Sequence, residues 1–359
     1  MSINDDVTRL IRSEIKALSA YHVPEPGNYI KLDAMENPYV WPTAMTDAWL
    51  ETLRDAELNR YPDPQARELS EYLHNAMDVP EDMSILLGNG SDEIIQMLMM
   101  AIAEPGRKVL SVEPSFVMYR MIAKFCNMDY VGVPLDDDFE LDKAAMLTAI
   151  AEHDPAIIFL AYPNNPTGNL FDEATIDEIT NASSGLVIID EAYAPFASRS
   201  YMSRLGEFDR LLVMRTVSKQ GLAGLRLGLL AGPALWLEEF DKVRLPYNIN
   251  ILTQISATFA LRNQHIFELQ AEQICLQREW LLAELAKFKQ LTIYPSEANF
   301  ILLRTAEGEA DKAFTGLKDN GILIKNLSPV GGVLTDCLRI TVGSEAENQQ
   351  LISVLKKLL

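Results

Sequence analysis

Cysteine and histidine are scarce in this chain of 359 residues. The three cysteines are far apart and form no C-x-x-C pair, which excludes a disulfide framework and a zinc ribbon. The four histidines have no metal-ligand spacing, and the acidic run DDDFELD lacks the glycine of a calcium loop. The sequence therefore predicts no metal site and a reducing compartment.

Long apolar runs and basic clusters are also lacking. No stretch approaches the roughly 20 apolar residues of a membrane span, and the N-terminus has no apolar signal core. These features predict a cytoplasmic protein that does not bind membranes. A formal net charge of -20 opposes nucleic-acid binding, because such binding depends on clustered Lys and Arg. A small anionic ligand stays possible, since a few cations and helix amides can dominate the potential of a cleft.

The middle of the chain alternates short apolar runs with longer helical patterns. This rhythm, from residue 84 to 230, predicts βαβ units and an α/β fold with a mostly parallel sheet. Ligands bind outside the carboxyl ends of strands in such sheets. The predicted strands are SILL (84–87), KVLSV (108–112), AIIFLAY (156–162), LVIID (186–190) and LLVMRT (211–216).

The pattern changes after the turn-rich RLPYNIN, near residue 247. One long helical region is predicted from about Thr253 to Lys289, followed by the short strands ANFILLR and CLRITVG. We expect an N-terminal arm (1–29), a large domain (30–246) with a mixed, mostly parallel sheet between helices, and a smaller α+β domain (247–359).

The run GNGSDEIIQML follows the first predicted strand. Gly88 and Gly90 permit tight turns, and Ser91 and Asp92 are good N-cap residues, so the free N–H groups of a helix should point at the strand end. Such a helix end attracts phosphate. The run matches neither a dinucleotide fingerprint nor a P-loop, and an ordinary capped helix is the alternative interpretation.

Two further segments carry ionisable residues just past strands. Asp190 ends the apolar LVIID, where a buried carboxylate demands a partner, and Tyr193 follows at helical spacing; a surface acid or N-cap is the alternative. Lys219 lies between hydroxyl residues and a glycine-rich run that ends in Arg226. A desolvated setting or a neighbouring cation such as Arg226 makes a lysine nucleophilic, although an isolated lysine is commonly a solvated surface residue.

Together these residues match the needs of pyridoxal phosphate, a phosphorylated aldehyde that forms a Schiff base with lysine. Lys219 supplies the amine, Asp190 the acid that keeps the pyridine nitrogen protonated, and Tyr193 a partner for the phenolic oxygen. Lys219 can afterwards move a proton between substrate and cofactor. The predicted phosphate cup consists of Gly90, Ser91, Asp92, Thr216, Ser218 and Arg226.

The run SKQGLAGLRLG resembles the lysine signature of fold type I pyridoxal-phosphate enzymes, specifically the aspartate-aminotransferase superfamily. The resemblance extends from about Tyr21 to the C-terminus. It implies a homodimer in which Tyr61 of NRYPDP crosses the interface to the phosphate. It also implies that Asn165 of PNNPTG hydrogen-bonds the phenolic oxygen and that Phe116 of EPSFVMY stacks on the pyridine ring.

Four segments, IRSEIKALSAYHV, KLDAMENPY, LNRYPDP and CLRITVG, resemble the histidinol-phosphate aminotransferases. This resemblance implies that histidinol phosphate donates an amino group to 2-oxoglutarate in histidine biosynthesis. It implies that Arg339 clamps the acidic end of the substrate, although a strand-borne arginine is more often a salt-bridge partner. The remaining substrate-binding residues implied by the family are Tyr21, Asn37, Asn165 and Lys325.

The chain departs from this family at several positions. Lys325 stands where an arginine is common, Asp33 and Met35 replace asparagines, and Phe116 replaces a tyrosine. Lysine lacks the guanidinium fork, so aromatic amino acids are alternative donors. A decarboxylase of phosphorylated threonine is a further alternative. A ligand-sensing module with an aminotransferase-like body is the non-enzyme alternative, but it would carry a basic DNA-binding domain that the sequence lacks.

Overall fold

The structure, a computed structural model, describes residues 3–20 and 27–359. These residues form two β-sheets flanked by helices. The strands, in chain order, are β1 (Ile30–Leu32), β2 (Ser84–Gly88), β3 (Lys108–Glu113), β4 (Asp129–Pro134), β5 (Ile157–Ala161), β6 (Leu186–Asp190), β7 (Leu211–Thr216), β8 (Gly228–Gly232), β9 (Thr292–Ile293), β10 (Phe300–Arg304), β11 (Ile322–Asn326) and β12 (Cys337–Thr341).

The helices lie on both faces of the larger sheet and on the smaller one. In chain order they are α1 (Ile3–Leu10), α2 (Ser13–Lys16), α3 (Thr43–Leu53), α4 (Arg67–Ala76), α5 (Ser91–Ile102), α6 (Met118–Phe125), α7 (Lys143–His153), α8 (Glu173–Ala182), α9 (Ala234–Asp241), α10 (Ile251–Arg262), α11 (Gln264–Leu285), α12 (Ala310–Asp319) and α13 (Glu345–Leu358). Among the helices of the described ranges, none has the length and apolar character needed to cross a bilayer.

The larger sheet has seven strands in the order β2-β8-β7-β6-β5-β3-β4. Strands β4, β3, β5, β6 and β7 pair in parallel, and β8 pairs antiparallel with β7 and β2. This confirms the predicted α/β class with a mixed, mostly parallel sheet. All five predicted strands are present, and β4 and β8 are additional. The glycines that bound β8 concealed it, because they also match a turn.

Alternate residues of the central strands belong to two separate apolar cores. Ile158 and Leu160 of β5 pack in one core, whereas Ile157 and Phe159 pack in the other. The neighbouring β6 divides in the same way. Both faces of the sheet are therefore covered, which explains why these strands are continuous apolar runs without a polar alternation.

The smaller sheet has the order β1-β11-β12-β10-β9. Strand β1 falls in the range 30–246 expected for the large domain, yet it pairs in parallel with β11 of this sheet. Conversely, α10 falls in the range 247–359 but contacts α3, where Trp49 Nε1 donates to Ser256 Oγ at 2.8 Å. The division into arm, large domain and small domain stays a prediction, with these two elements crossing it.

The single helical region predicted from Thr253 to Lys289 is wrong, because it is divided into α10 and α11. The division lies at Asn263, whose backbone leaves the helical region (φ -112°, ψ 30°). Asparagine favours such positions because its side chain competes for backbone hydrogen bonds, and here Nδ2 donates to Phe259 O at 2.9 Å.

The N-terminal arm contacts the edge of the larger sheet through α6. Arg12 Nη2 donates to the carbonyl oxygen of Phe125 at 2.7 Å, at the end of that helix. Residue Tyr21, which the family resemblance implicates in substrate binding, lies outside the described residues.

We expect Gly185→Ala to destabilise the protein by about 1–3 kcal/mol, the usual range for overpacking. Gly185 immediately precedes β6, and a Cβ there would overlap the backbone of Pro155 and Ala156, which hardly yields. Urea denaturation of the cofactor-free protein measures the change. Gly224→Ala is the matched control, since a Cβ there meets no atom within 4 Å. Equal midpoints for the two variants would contradict this packing argument.

Candidate active site

Three neighbouring parallel strands bring the predicted catalytic residues together. Asp190 is the last residue of β6, Lys219 follows β7 by three residues, and Asn165 follows β5 by four. Because β5, β6 and β7 are adjacent and parallel, their carboxyl ends lie at one edge of the sheet. The cleft is formed at this edge.

Lys219 lies in the short 3₁₀ turn Ser218–Gln220. Its Nζ donates to Ala34 O at 3.3 Å and lies 5.7 Å from the ring centroid of Tyr193. Desolvation lowers the pKa of this amine to about 8, and the positive charges of Arg339 and, to a smaller extent, Arg226 act in the same direction. The sequence pointed to Arg226 as the neighbouring cation, but Arg339 has the larger effect.

Asp190 is buried at the end of β6, with 4% of its surface exposed. Its Oδ2 accepts a hydrogen bond from Tyr119 Oη at 2.6 Å, and its Oδ1 accepts one from the backbone N–H of Ala192 at 3.1 Å. Burial raises the pKa of Asp190 to about 6, and the two hydrogen bonds oppose that rise. The carboxylate is therefore held in place and partly compensated, as the sequence argument required.

A chain of hydrogen bonds joins the two sheets across the cleft. Asn165 Nδ2 donates to Tyr193 Oη at 3.1 Å, and Asn165 Oδ1 accepts from Arg339 Nη1 at 2.5 Å. Arg339, on β12 of the smaller sheet, also donates through Nη2 to Asp33 O at 3.0 Å. The arginine is buried and is oriented by these two acceptors. Tyr193, Asn165 and Arg339 thus form one connected unit.

The predicted phosphate cup is assembled between β2, α5 and the turn after β7. Gly90 has φ +81° and is the N-cap of α5, without a side-chain cap, so the expectation that Ser91 or Asp92 caps the helix is wrong. The reason is the backbone conformation of Gly90 (φ +81°, ψ 170°), which is open essentially only to glycine, and a Cβ there would also lie 2.8 Å from Arg226 Nη2. The free N–H groups of the first turn of α5 and the guanidinium therefore meet in one recess.

The remaining cup residues lie around this recess. Arg226 Nη2 is 3.3 Å from Asp92 Oδ2, and Arg226 itself adopts a left-handed backbone conformation at φ +49°. The Thr216 hydroxyl lies 2.9 Å from both Leu227 O and Ser218 Oγ. A left-handed non-glycine residue is strained, and such strain is commonly found at ligand sites.

Three further predicted residues lie around this core. Phe116 precedes α6, and its ring meets that of Tyr119 edge to face at 5.5 Å. Lys325 on β11 lies directly opposite Arg339 on β12, so both cations extend from the same face of the smaller sheet. Asn37 donates to Gln220 O and Gln270 Oε1, so the role in substrate binding implied for it stays a prediction.

Tyr61 is placed differently from the other predicted residues. Four fifths of its surface is exposed, and its ring stacks on that of Tyr247 at 4.4 Å. In a single chain it is a surface residue. This placement agrees with the implied role at a subunit interface, and that role remains a prediction.

Sequence reasoning missed Tyr119, which contacts the Asp190 carboxylate directly. Tyr119 follows Phe116 by three residues, one helical turn, so its proximity to the ring-stacking position was accessible from spacing. Its contact with Asp190 was not, because that contact depends on how the strands β3, β5 and β6 are ordered in the sheet.

The groups in the cleft fit pyridoxal phosphate. Arg226 and the α5 N–H groups provide an anion cup that a Cβ at Gly90 would fill, and Lys219 provides an amine of lowered pKa. Asp190 provides a buried carboxylate for a pyridine nitrogen, and the Tyr193–Asn165 pair provides donors for a phenolic oxygen. No group of three or more His, Cys, Asp or Glu side chains in the described ranges is arranged to hold a metal ion.

Comparisons with known proteins agree on the family. Residues 27–355 match the family model "Aminotransferase class I and II". "Histidinol-phosphate aminotransferase 2" of Nitrosococcus oceani is 54% identical over 352 residues, and that of Cupriavidus pinatubonensis is 50% identical over 359 residues, each covering 98% of both chains.

Solved structures show the same fold. The histidinol-phosphate aminotransferase from Sinorhizobium meliloti in complex with pyridoxal-5'-phosphate superposes with a TM-score of 0.85 at 22% identity, covering 98% of both chains. The enzyme from Clostridium acetobutylicum has a TM-score of 0.83 at 24% identity, covering 91% of this chain and 98% of that one. These likenesses confirm the predicted fold type I architecture. By the family match and the identity to its relatives, the chain belongs to aminotransferase class I and II, within the histidinol-phosphate aminotransferase family.

Proposed function

We propose that this protein is a cytoplasmic, pyridoxal-phosphate-dependent aminotransferase that transfers the amino group of histidinol phosphate to 2-oxoglutarate in histidine biosynthesis. The observation that carries the substrate proposal is a pair of cations on the smaller sheet. Lys325 lies directly opposite Arg339, and Arg339 contacts Asn165 beside the larger sheet. Two cations side by side suit a doubly charged phosphate or a carboxylate. The names of relatives at 50% identity and above support the same substrate.

The residues of the larger sheet have distinct tasks. Pyridoxal phosphate, when bound, supplies an electron sink for the carbon from which a proton is removed. Asp190 would keep a proton at the ring nitrogen, and Arg226 with the N–H groups of α5 would bind the phosphate. Phe116 would cover one face of the ring. Asn165 and Tyr193 would hold the phenolic oxygen.

Lys219 would be suited to carry a proton at Nζ within the cleft when its amine is free. Its pKa of about 8 lies near the working pH, so Nζ can accept a proton and return it to another atom without a large energetic penalty. An ordinary exposed lysine would stay protonated. Desolvation in the cleft therefore serves catalysis directly.

The smaller sheet would orient the donor. Arg339 is held by Asn165 Oδ1 and Asp33 O, so its guanidinium cannot swing away from the cleft. Lys325 opposite it adds a second positive charge, but as a point charge it does not impose the two-pronged geometry of an arginine. This observation favours aromatic amino acids as a second class of donor, since they need no phosphate clamp.

The proposed assembly is a homodimer in which Tyr61 completes the phosphate site of the other subunit. Tyr61 is 80% exposed, and so are Leu58, three residues before it, at 69% and Leu245, two residues before its stacking partner Tyr247, at 71%. Apolar surface of this kind is typical of a contact with another protein. A second copy of the chain is the partner that the family resemblance implies.

A donor panel tests the function. We expect the purified protein with pyridoxal phosphate to be yellow, to lose that colour on borohydride treatment, and to convert histidinol phosphate faster than phenylalanine with 2-oxoglutarate as acceptor. Lys325→Arg should sharpen this preference by about tenfold, because a fork binds phosphate with two hydrogen bonds. Carbon dioxide released from threonine phosphate without an acceptor would instead identify a decarboxylase. A protein that forms no reducible adduct would refute the enzyme proposal.

Subunit mixing tests the shared site. We expect Tyr61→Ala and Lys219→Ala, each weak or inactive alone, to recover about one quarter of the wild-type sites after subunit exchange, because half of the dimers would be mixed and each would have one intact site. Asp190→Asn mixed with Lys219→Ala is the control. Those two residues belong to the same subunit's site, so no intact site can form. Failure of the first pair to recover activity would place Tyr61 outside the partner's site.

The free energy of unfolding of the cofactor-free protein should depend on pH through the protonation of Lys219. Its pKa is about 8 when folded and 10.5 in the reference state, so the folded protein binds fewer protons between these values and stability rises with pH there. Below pH 8 Lys219 is charged in the folded protein, and the cost of burying that charge lowers the free energy of unfolding. We therefore expect Lys219→Met to be more stable than wild type by about 2–3 kcal/mol at neutral pH, a difference that vanishes as the pH approaches the reference value.

Urea denaturation at a series of pH values measures this difference. Lys289→Met, at an exposed lysine, is the control and should differ from wild type by less than about 0.5 kcal/mol. A stability gain of Lys219→Met that stays constant with pH would mean that packing, and not the charge, is responsible.

A further inference from the structure

Tyr119 is a fully buried tyrosine whose hydroxyl donates a hydrogen bond to the Asp190 carboxylate. It extends from the first turn of α6, and its Oη lies 2.6 Å from Asp190 Oδ2. A buried phenol without an acceptor would be destabilising, so this contact satisfies the phenol. The contact also serves the carboxylate, because a hydrogen bond to a charged acceptor is stronger than one between neutral groups.

The tyrosine ring is fixed in position by two aromatic neighbours. It stacks on Phe159 of β5 with ring centroids 4.7 Å apart and planes inclined by 15°. Phe116 contacts it edge to face at 5.5 Å, with planes inclined by 84°. A ring held on two sides cannot rotate its hydroxyl away from Asp190. The hydrogen bond is therefore built into the packing of the core.

Asp190 needs such a donor because its other surroundings oppose a negative charge. Burial is the largest of these influences, and the carboxylates of Asp92 and Glu191 add to it. Glu191 is compensated by Arg215, whose Nη2 lies 2.8 Å from Glu191 Oε2. The backbone N–H of Ala192 is the second donor to Asp190.

These groups face Asp190 from three directions. Tyr119 approaches from α6, Asp92 from the start of α5, and Glu191 and Ala192 from the residues that follow β6. Two donors, the tyrosine hydroxyl and the Ala192 N–H, favour the ionised carboxylate. Of these, only the hydroxyl comes from a side chain, so it can be removed by substitution while the backbone stays as it is.

We propose that Tyr119 is a positioning residue that holds Asp190 ionised and oriented for the ring nitrogen of the cofactor. This inference rests on the proposed function, in which Asp190 keeps a proton at that nitrogen. Without the hydroxyl, Asp190 would bind a proton of its own more readily. A neutral carboxylic acid would then meet the ring nitrogen, and it would stabilise the protonated ring less than a carboxylate does.

The test is the affinity of Tyr119→Phe for pyridoxal phosphate, measured by quenching of tryptophan fluorescence, which needs no turnover. We expect a dissociation constant on the order of tenfold larger than that of wild type at neutral pH, the loss typical of a hydrogen bond to a charged group. Protonation of Asp190 weakens binding as the pH falls. That weakening should begin at a higher pH in the variant, because a lost donor raises the pKa of the carboxyl.

Tyr201→Phe is the matched control. Tyr201 is also fully buried, and its hydroxyl lies 3.2 Å from Asp177 Oδ1 on α8, away from the cleft. The control should keep the wild-type affinity and pH profile. If Tyr119→Phe matches this control in both, the hydroxyl has only a structural role and the inference is overturned.

A double substitution separates a charge effect from packing. In an Asp190→Asn background no carboxylate can be ionised, so adding Tyr119→Phe should change the affinity by less than about twofold. An undiminished loss in that background would contradict the inference. If wild type itself does not bind pyridoxal phosphate, the proposed function fails. If wild type binds it and Asp190→Asn binds it weakly, but Tyr119→Phe behaves like the control, only the inference about Tyr119 fails.

Discussion

The desolvation of two opposite charges at one sheet edge is the constraint on which the site depends. Burial raises the pKa of Asp190 to about 6 and lowers the pKa of Lys219 to about 8, so both groups are brought towards the working pH. Neither is paired directly with the other. A ligand that supplies a positive nitrogen to one and an aldehyde to the other relieves both costs at once, which is the physical reason that this edge of the sheet selects such a cofactor.

The position of the smaller sheet is the second determinant of the site. Arg339 belongs to β12, but its hydrogen bond to Asn165 ends on the loop after β5 of the larger sheet. Asp33 and Ala34, which follow β1, lie between the sheets and accept hydrogen bonds from Arg339 and Lys219. A change in the angle between the sheets would therefore disturb the positions of both Arg339 and Lys219. In the proposed function, substrate binding and proton transfer would depend on the same arrangement of the two sheets.

Sequence patterns predicted the features of the site that depend on residues close together along the chain. Asp190 and Lys219 were found because each follows an apolar strand, and that placement needs only the order of elements. Tyr119 and strand β1 were not placed, because their contacts arise from residues far away in sequence: Tyr119 meets Asp190 across 71 positions, and β1 pairs with residues 322–324 of β11. The cap of α5 was wrong for a different reason, because the sequence did not reveal that the chain enters the helix at Gly90 with a backbone conformation open essentially only to glycine.

In the proposed function, the paired cations Lys325 and Arg339 would favour an anionic substrate. Like charges directly opposite each other in an antiparallel pair destabilise a sheet. Two acceptors, Asn165 Oδ1 and Asp33 O, orient the guanidinium of Arg339. In the proposed function, an anion bound between the two side chains would reduce their mutual repulsion. An anionic donor would thus meet a guanidinium that is already oriented, and the smaller ordering cost would add to its affinity.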